Sequence, residues 1–217
     1  MIDQSGTVPV PVGRRLNALL QQAGLPVLDA VLAGRFEDYL GLILRWNART
    51  NLTAIRDVEG ILSRHFVESI ACARTVPQGV GTLLDLGSGA GFPGIPIALC
   101  RPEIAVTLAE SQNKKAAFLR EAIRTLGLAA KVHGGRAEEL KAAFDCVTLR
   151  AVDRMESAVT TAAQLVAEGG WLMVMTTESA ILTAQGAAGK SQEWQWSTAS
   201  LDGERRIALG RKGRARK

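Results

Sequence analysis

The chain of 217 residues predicts a doubly wound α/β fold around a mostly parallel sheet. Three observations carry that expectation. After Gly81, short and almost continuously apolar runs alternate with amphipathic helical stretches, the pattern of parallel strands covered on both faces. The first run, TLLDL, breaks at once into GSGAGFPGIP, a side-chain-poor loop of the kind that lets backbone approach something closely. The second run ends on an acid, Glu110, at the carboxyl edge where open α/β sheets bind ligands.

The elements follow in order. Residues 1–13 carry no pattern and are expected to be disordered. A helical segment is expected over 14–76, packed on an α/β domain over 77–210, with a basic tail at 211–217. Leu16, Leu19, Leu20 and Ala23 fall at i, i+3, i+4 and i+7, and Gly24 and Pro26 stop that helix. Phe36, Tyr39, Leu40, Ile43 and Leu44 repeat the spacing. A third helix is expected around 61–73. Five strands are then expected at TLLDL, IAVTLAE, KVHG, FDCVTLRA and WLMVMTT. Helices are expected near 96–100, 114–126 and 155–168; in the second, Gly127 sits where a C-cap belongs. The stretch EWQWSTASLDGERRIALG reads as two strands around Asp202-Gly203, an antiparallel pair closing the sheet.

Composition narrows the class. With 47% hydrophobic and 22% charged residues the chain suits one globular domain. The start lacks a basic region followed by an apolar one, so no signal peptide is expected. The longest apolar stretch, 80–100, is broken by Asp85, glycines and prolines, which makes a poor membrane span. Cys72, Cys100 and Cys146 form no CxxC pair, and His65 and His133 stand apart. Neither a metal site nor a disulfide framework is expected, and reduced thiols point to a cytoplasmic protein. Nothing demands a dimer, so a monomer is expected. The net charge of +5 is concentrated late: Glu204 to Lys217 holds seven basic residues and one acid. Such a run suits a polyanion, and equally suits a solubilising terminus.

Two cofactor classes compete for the glycine loop. A dinucleotide fingerprint, G-x-G-x-x-G, fails when counted from Gly87 because Phe92 occupies its last position; counted from Gly89 it fits through Gly91 and Gly94, but stands beyond the strand and contains Pro93. The alternative is S-adenosylmethionine, a nucleoside with a carboxylate and a sulfonium. D-L-G-S-G-A-G is the usual loop of methyltransferases with this sheet, and Asp85 places a carboxylate near a cation. Glu110 can accept both ribose hydroxyls of either cofactor. After the third strand, the Ala137 amide and the Glu138 side chain are placed to read an adenine edge; the bland reading is an acid-rich helix start. Arg150, a charge at the end of a buried strand, calls for a ligand or an ion pair. The cofactor candidates are therefore Asp85, Gly87, Gly89, Gly91, Phe92, Glu110, Ala137, Glu138 and Arg150.

Several segments together resemble the bacterial small-subunit rRNA guanine-N7 methyltransferases of the RsmG (GidB) family. They are Arg45-Trp46-Asn47 through Asn51-Leu52-Thr53 with Arg56-Asp57; Arg64-His65-Phe66-Val67-Glu68-Ser69; the glycine loop with Gly94-Ile95-Pro96; Phe118-Leu119; Arg150-Ala151; and Gly203-Glu204-Arg205-Arg206. The glycine loop is shared widely, whereas W-N-x-x-x-N-L-T joined to R-H-x-x-[DE]-S is much more specific. Glu68 stands where the family often has Asp, and Leu149 where Ser often precedes the Arg. The resemblance implies a class I, Rossmann-like methyltransferase that takes S-adenosylmethionine as donor and N7 of one guanine in 16S rRNA as acceptor. It carries cofactor contacts onto Gly87, Phe92, Ala137, Glu138 and Arg150, with Glu110 as the ribose acid. The partner it implies is 16S rRNA or the small subunit.

Guanine N7 is an unprotonated lone-pair nucleophile, so in-line methyl transfer needs no general base. Orientation alone supplies roughly 7–11 kcal/mol in such reactions. N7 lies in the deep groove of A-form RNA, so the target must sit in a loop or an opened region. Phosphate contacts are expected from Arg45, Arg49, Arg56, Arg64, Lys114, Lys115, Arg211, Lys212 and Arg214, each releasing counterions; for Arg45 and Arg49 an exposed helix face explains the charge as well. Base stacking has few candidates, namely Phe92, Trp46, Trp194 and Trp196. Trp46 more naturally fills the gap between the helical arm and the sheet, and His65 is expected to be a hydrogen-bonded structural residue. Three rivals stand beside this reading: a nicotinamide-dependent dehydrogenase on the shifted glycine motif, a methyltransferase acting on a small molecule, and a non-catalytic RNA-binding module.

Overall fold

The computed structural model describes residues 10–150, 155–189 and 193–213. The first helix, α1 (Val12–Gln22), buries Leu16 and Leu20 as its spacing predicts. Helix α2 (Ala30–Asn47) starts under Asp29, whose carboxylate accepts from the Leu32 amide at 2.8 Å. Its inner face buries Phe36, Tyr39, Leu40 and Ile43. The third helical region starts as α3 (Val58–Gly60), passes through a π-helical stretch, Ile61–Val67, and continues as α4 (Glu68–Thr75). Arg64 and His65 lie in that widened stretch, a geometry often found at functional sites.

The sheet is built by β1 (Thr82–Leu86), β2 (Ala105–Ala109), β3 (Lys131–His133), β4 (Phe144–Arg150), β5 (Val166–Thr177), β6 (Trp194–Ser200) and β7 (Arg205–Lys212). Its order is β3-β2-β1-β4-β5-β7-β6. The first five strands are parallel; β7 runs antiparallel to β5, with β6 outside it. Helices α5 (Gly94–Cys100), α6 (Asn113–Thr125), α7 (Met155–Gln164) and α8 (Ile181–Ala187) complete the fold.

Alternation along β1 shows how both faces are covered. Leu83 packs into the core under α1, α2, α4, α5 and α6, and Leu84 into the core under α7 and α8. Phe36, Tyr39 and Phe66, all fully buried, join the first of these cores. Burying a ring of that size stabilises by about 2–3 kcal/mol, so the N-terminal helices are bound into the core of the sheet.

Three local expectations change. The helix expected to reach residue 168 stops at Gln164, because Val166 already pairs with Phe144 and Gly169 takes a positive φ of 74°. Helix α8 was not expected; it is short and buries only Ala184. The basic run from Glu204 is chiefly strand rather than tail, since β7 extends to Lys212. Its charges are therefore strung along the sheet: Arg205 pairs with Thr177 at the carboxyl end of β5, and Arg211 with Trp171 near the other end. Six strand residues span about 20 Å. Arg214 lies outside the described residues.

Candidate active site

The carboxyl ends of β1, β2 and β3 open on a cavity of about 430 Å³, within the size range of small-molecule sites. Gly87, Glu110, Ala137 and Glu138 line it together, so four of the nine expected cofactor residues meet in one place. Gly87 has a φ of +72°, and a Cβ there would meet nothing within 4 Å. Glycine is needed for that backbone and leaves open space in front of it. The Glu110 carboxylate is only 7% exposed. Its Oε2 accepts from the Gly89 amide at 3.0 Å and its Oε1 from the Gln112 amide at 2.8 Å. One acid thus ties the glycine loop to the start of α6 and keeps lone pairs free toward the cavity, since each carboxylate oxygen accepts more than one bond. Glu138 also comes within 3.5 Å of the Thr161 hydroxyl on α7.

The other loop residues serve packing. Asp85 is fully buried and accepts from the Gly94 amide at 3.1 Å. Burial pushes its carboxyl up to about 7, against the pull of its hydrogen bonds. It anchors α5 to β1, and it is not among the residues that line the cavity. Gly91 is hemmed in: a Cβ would lie 2.5 Å from Ile95 and 2.7 Å from the Tyr39 hydroxyl. That hydroxyl donates to the Ala90 carbonyl, so α2 braces the loop from behind. Phe92 is 6% exposed and stacks on His65 with ring centroids 4.5 Å apart; it belongs to the core rather than to the cavity wall. Gly89 gives its amide to Glu110, a contact inside the loop.

Arg150 stands in a second cavity, of about 320 Å³, with Arg64, Glu68 and Arg205. It meets His65 Nδ1 at 2.9 Å, the Arg64 carbonyl at 3.1 Å and Glu68 Oε2 at 3.1 Å. Arg205 pairs with the other oxygen of Glu68. An arginine has no acceptor to offer, so His65 Nδ1 is bare and its Nε2–H donates to Thr53 Oγ1 at 2.7 Å. Burial, with repulsion from Arg150 and Arg64, holds His65 down at about 3 and neutral. Asn47 organises the loop after α2 by accepting from the amides of Leu52 and Thr53 at 3.0 and 3.3 Å. The motif W-N-x-x-x-N-L-T is therefore a scaffold that reaches Arg150 through Thr53 and His65. Glu68 and Arg205 were missed as site residues, although both lie in motifs that sequence reading singled out.

The expected RNA-side residues are dispersed. Arg45 and Arg49 are exposed around a groove with Trp46 and Glu121. Arg56 bonds to Asn51, and Lys114 and Lys115 open α6 beside Glu110. Arg211 lies over Trp171, and Lys212 donates to the carbonyls of Ala163 and Val166 at 3.1 and 2.9 Å. These last two hold the far end of the sheet, away from both cavities. The aromatic candidates are also structural: Trp46 bonds to Glu121 and meets Phe118 edge-on, while Trp194 stacks on Trp196 and bonds to the Ala188 carbonyl. Among the described residues no group of three metal-ligating side chains occurs, and no helix is long and apolar enough to cross a membrane.

Solved structures with this architecture include the T. thermophilus 16S rRNA N2 G1207 methyltransferase (RsmC) in complex with AdoMet and guanosine. Its TM-score is 0.53 at 20% identity, over 70% of this chain and 40% of that one. The M. jannaschii TYW2 structure in complex with AdoMet gives a TM-score of 0.55 at 12% identity, over 68% and 74%. The fold is that of the class I, Rossmann-like SAM methyltransferases. A relative from Xanthomonas euvesicatoria pv. vesicatoria (strain 85-10), named Ribosomal RNA small subunit methyltransferase G, is 42% identical over 194 residues, covering 86% of this chain and 90% of its own. A relative of the same name from Stenotrophomonas maltophilia (strain K279a) is 44% identical over 171 residues, 77% and 78% of the two chains. The family model described as rRNA small subunit methyltransferase G matches residues 33–206, and the chain belongs to that family.

Proposed function

We infer that the protein transfers a methyl group from S-adenosylmethionine to N7 of a guanine in 16S rRNA. Beside family membership, one observation carries this reading: the glycine-loop cavity suits an adenosyl group better than a pyrophosphate. A dinucleotide would place its pyrophosphate on the first amides of α5. The Gly94 amide is already given to Asp85 and the Ile95 amide to the Gly91 carbonyl. The open position is Gly87, with Glu110 beside it. In this reading Glu110 accepts the ribose hydroxyls, Gly87 lets the loop backbone approach, and Ala137 and Glu138 border the adenine. Bound S-adenosylmethionine supplies an electrophilic methyl on a sulfonium. The residues around it hold the donor in line with the acceptor, and N7 needs no base to release its lone pair. Lys114 and Lys115, in the first turn of α6, and Arg45, Arg49, Arg56 and Arg64 on the helical arm are the RNA contacts of this reading. The protein acts as a monomer in the cytoplasm.

The test is calorimetric titration of S-adenosylmethionine and of NAD(H), with wild type and with Gly87→Val. The reading expects donor binding by wild type, loss of it in the variant with 16S rRNA binding retained, and no tight NAD(H) binding. Unimpaired donor binding by Gly87→Val would show that the cavity is not the site.

A further inference from the structure

The loop after β3 borders the glycine-loop cavity with four consecutive residues, Gly135, Arg136, Ala137 and Glu138. Among the described residues no acceptor meets the Ala137 amide. Its direction is nevertheless fixed. The Arg136 carbonyl and the Ala137 N–H belong to one peptide group, which is planar and trans, so the two point in opposite directions. Whatever holds the carbonyl on one side aims the N–H on the other.

Two groups hold that carbonyl. The Glu139 amide donates to it at 3.1 Å, a bond within the loop itself. The second is His133, the last residue of β3, whose Nε2 lies 3.0 Å from the same oxygen. A carbonyl has no proton to give, so the His133 Nε2–H donates. The ring stands close over Gly135: a Cβ there would lie 3.1 Å from His133 Nε2 and 2.5 Å from Glu139 Oε2. Only a residue without a side chain lets the loop pass so near the ring. The backbone of His133 reaches a further wall of the cavity, since its carbonyl accepts from the Glu110 amide at 3.0 Å. One residue thus ties together the acid assigned to the ribose and the peptide group assigned to the adenine. The Glu139 carboxylate lies 4.0 Å from Nε2 and is 62% exposed, beyond hydrogen-bond reach and well solvated.

We propose that His133 is a positioning residue for the methyl donor: through the Arg136 carbonyl it aims the Ala137 amide at N1 of the adenine, and so sets selectivity for that base. N1 of adenine is an acceptor. N1 of hypoxanthine carries a proton and would meet the amide donor to donor. This inference rests on the S-adenosylmethionine reading of the cavity and adds to it the residue that orients the base.

The experiment titrates S-adenosylhomocysteine and its hypoxanthine counterpart, S-inosylhomocysteine, onto the full chain by calorimetry, with methyl transfer to 16S rRNA measured beside it. Wild type is expected to bind the adenine form about tenfold more tightly, the effect of one hydrogen bond replaced by an unsatisfied pair of donors. His133→Ala should narrow that preference below about threefold, chiefly by weakening the adenine form. It should act on KM for S-adenosylmethionine rather than on kcat. His133→Gln, whose amide nitrogen reaches the place of Nε2, should restore most of the preference. Glu139→Ala should leave it intact, because the bond to the carbonyl and not the distant carboxylate carries the effect. Equal affinity for the two bases in wild type, a preference that survives His133→Ala, a loss that His133→Gln does not repair, or an equal loss in Glu139→Ala would each overturn the proposal. Failure of wild type to bind S-adenosylhomocysteine at all would instead overturn the reading of the cavity.

Discussion

Replacing Asp85 by Asn separates a structural carboxylate from a cofactor-binding one. Asp85 is fully buried, and one of its oxygens, Oδ1, has no hydrogen-bond partner among the described residues. Burial raises its pKa from 3.8 to about 7. The folded value lies above the unfolded one, so the native state retains a proton that the unfolded chain has released. Stability contributed by this group is full below about 4 and is lost as pH rises to about 7. Three units at 1.36 kcal/mol each give a loss of about 4 kcal/mol across that window. Asn has nothing to titrate, and its carbonyl can still accept from Gly94; its buried amide donors add an offset that does not change with pH. The assay is urea denaturation of both proteins from pH 4 to pH 8. The stability of Asp85→Asn minus that of wild type should rise by about 4 kcal/mol over that range, with donor affinity changed less than about threefold, a shift below 1 kcal/mol. A flat difference, or a loss of donor affinity of a hundredfold or more, would refute the assignment of Asp85 to packing.

Glu110→Gln keeps the shape of the side chain but turns one oxygen into a donor facing an amide donor of Gly89 or Gln112. Donor affinity by calorimetry should fall about 10- to 100-fold, the worth of a hydrogen bond to a charged acceptor; a change under twofold would remove Glu110 from the site. His65 is held neutral, with its pKa lowered from 6.5 to about 3. Its contribution to stability is therefore full above about 6.5 and lost as pH falls, at about 1.4 kcal/mol per unit. Denaturation curves of His65→Gln should lack that acid-side slope, and an identical slope in the variant would place the acid sensitivity elsewhere.

Much of the fold was legible because strand burial and helix periodicity are local signals. TLLDL, FDCVTLR and the Phe118-Leu119 face state their element in their own residues. The extent of β5 was not local: Val166 joins the strand because Phe144 lies across from it. The meeting of Gly87, Glu110, Ala137 and Glu138 in one cavity was legible, because each follows a strand end in sequence. Asp85 and Phe92 lie in the same stretch, yet alternation and loop curvature turn them inward, and only coordinates reveal that. Arg205 was hidden differently. It reads as one more charge of a basic tail, and the pairing of β7 with β5 brings it to Glu68.

The position of the transferred methyl group separates rRNA guanine-N7 methylation from every rival activity. Full-length protein, labelled S-adenosylmethionine and 16S rRNA should yield label on N7 of a single guanine, located by chain cleavage at N7-methylguanine. Label on another atom or another base, or label transferred to a small metabolite while the RNA stays unmodified, would contradict it.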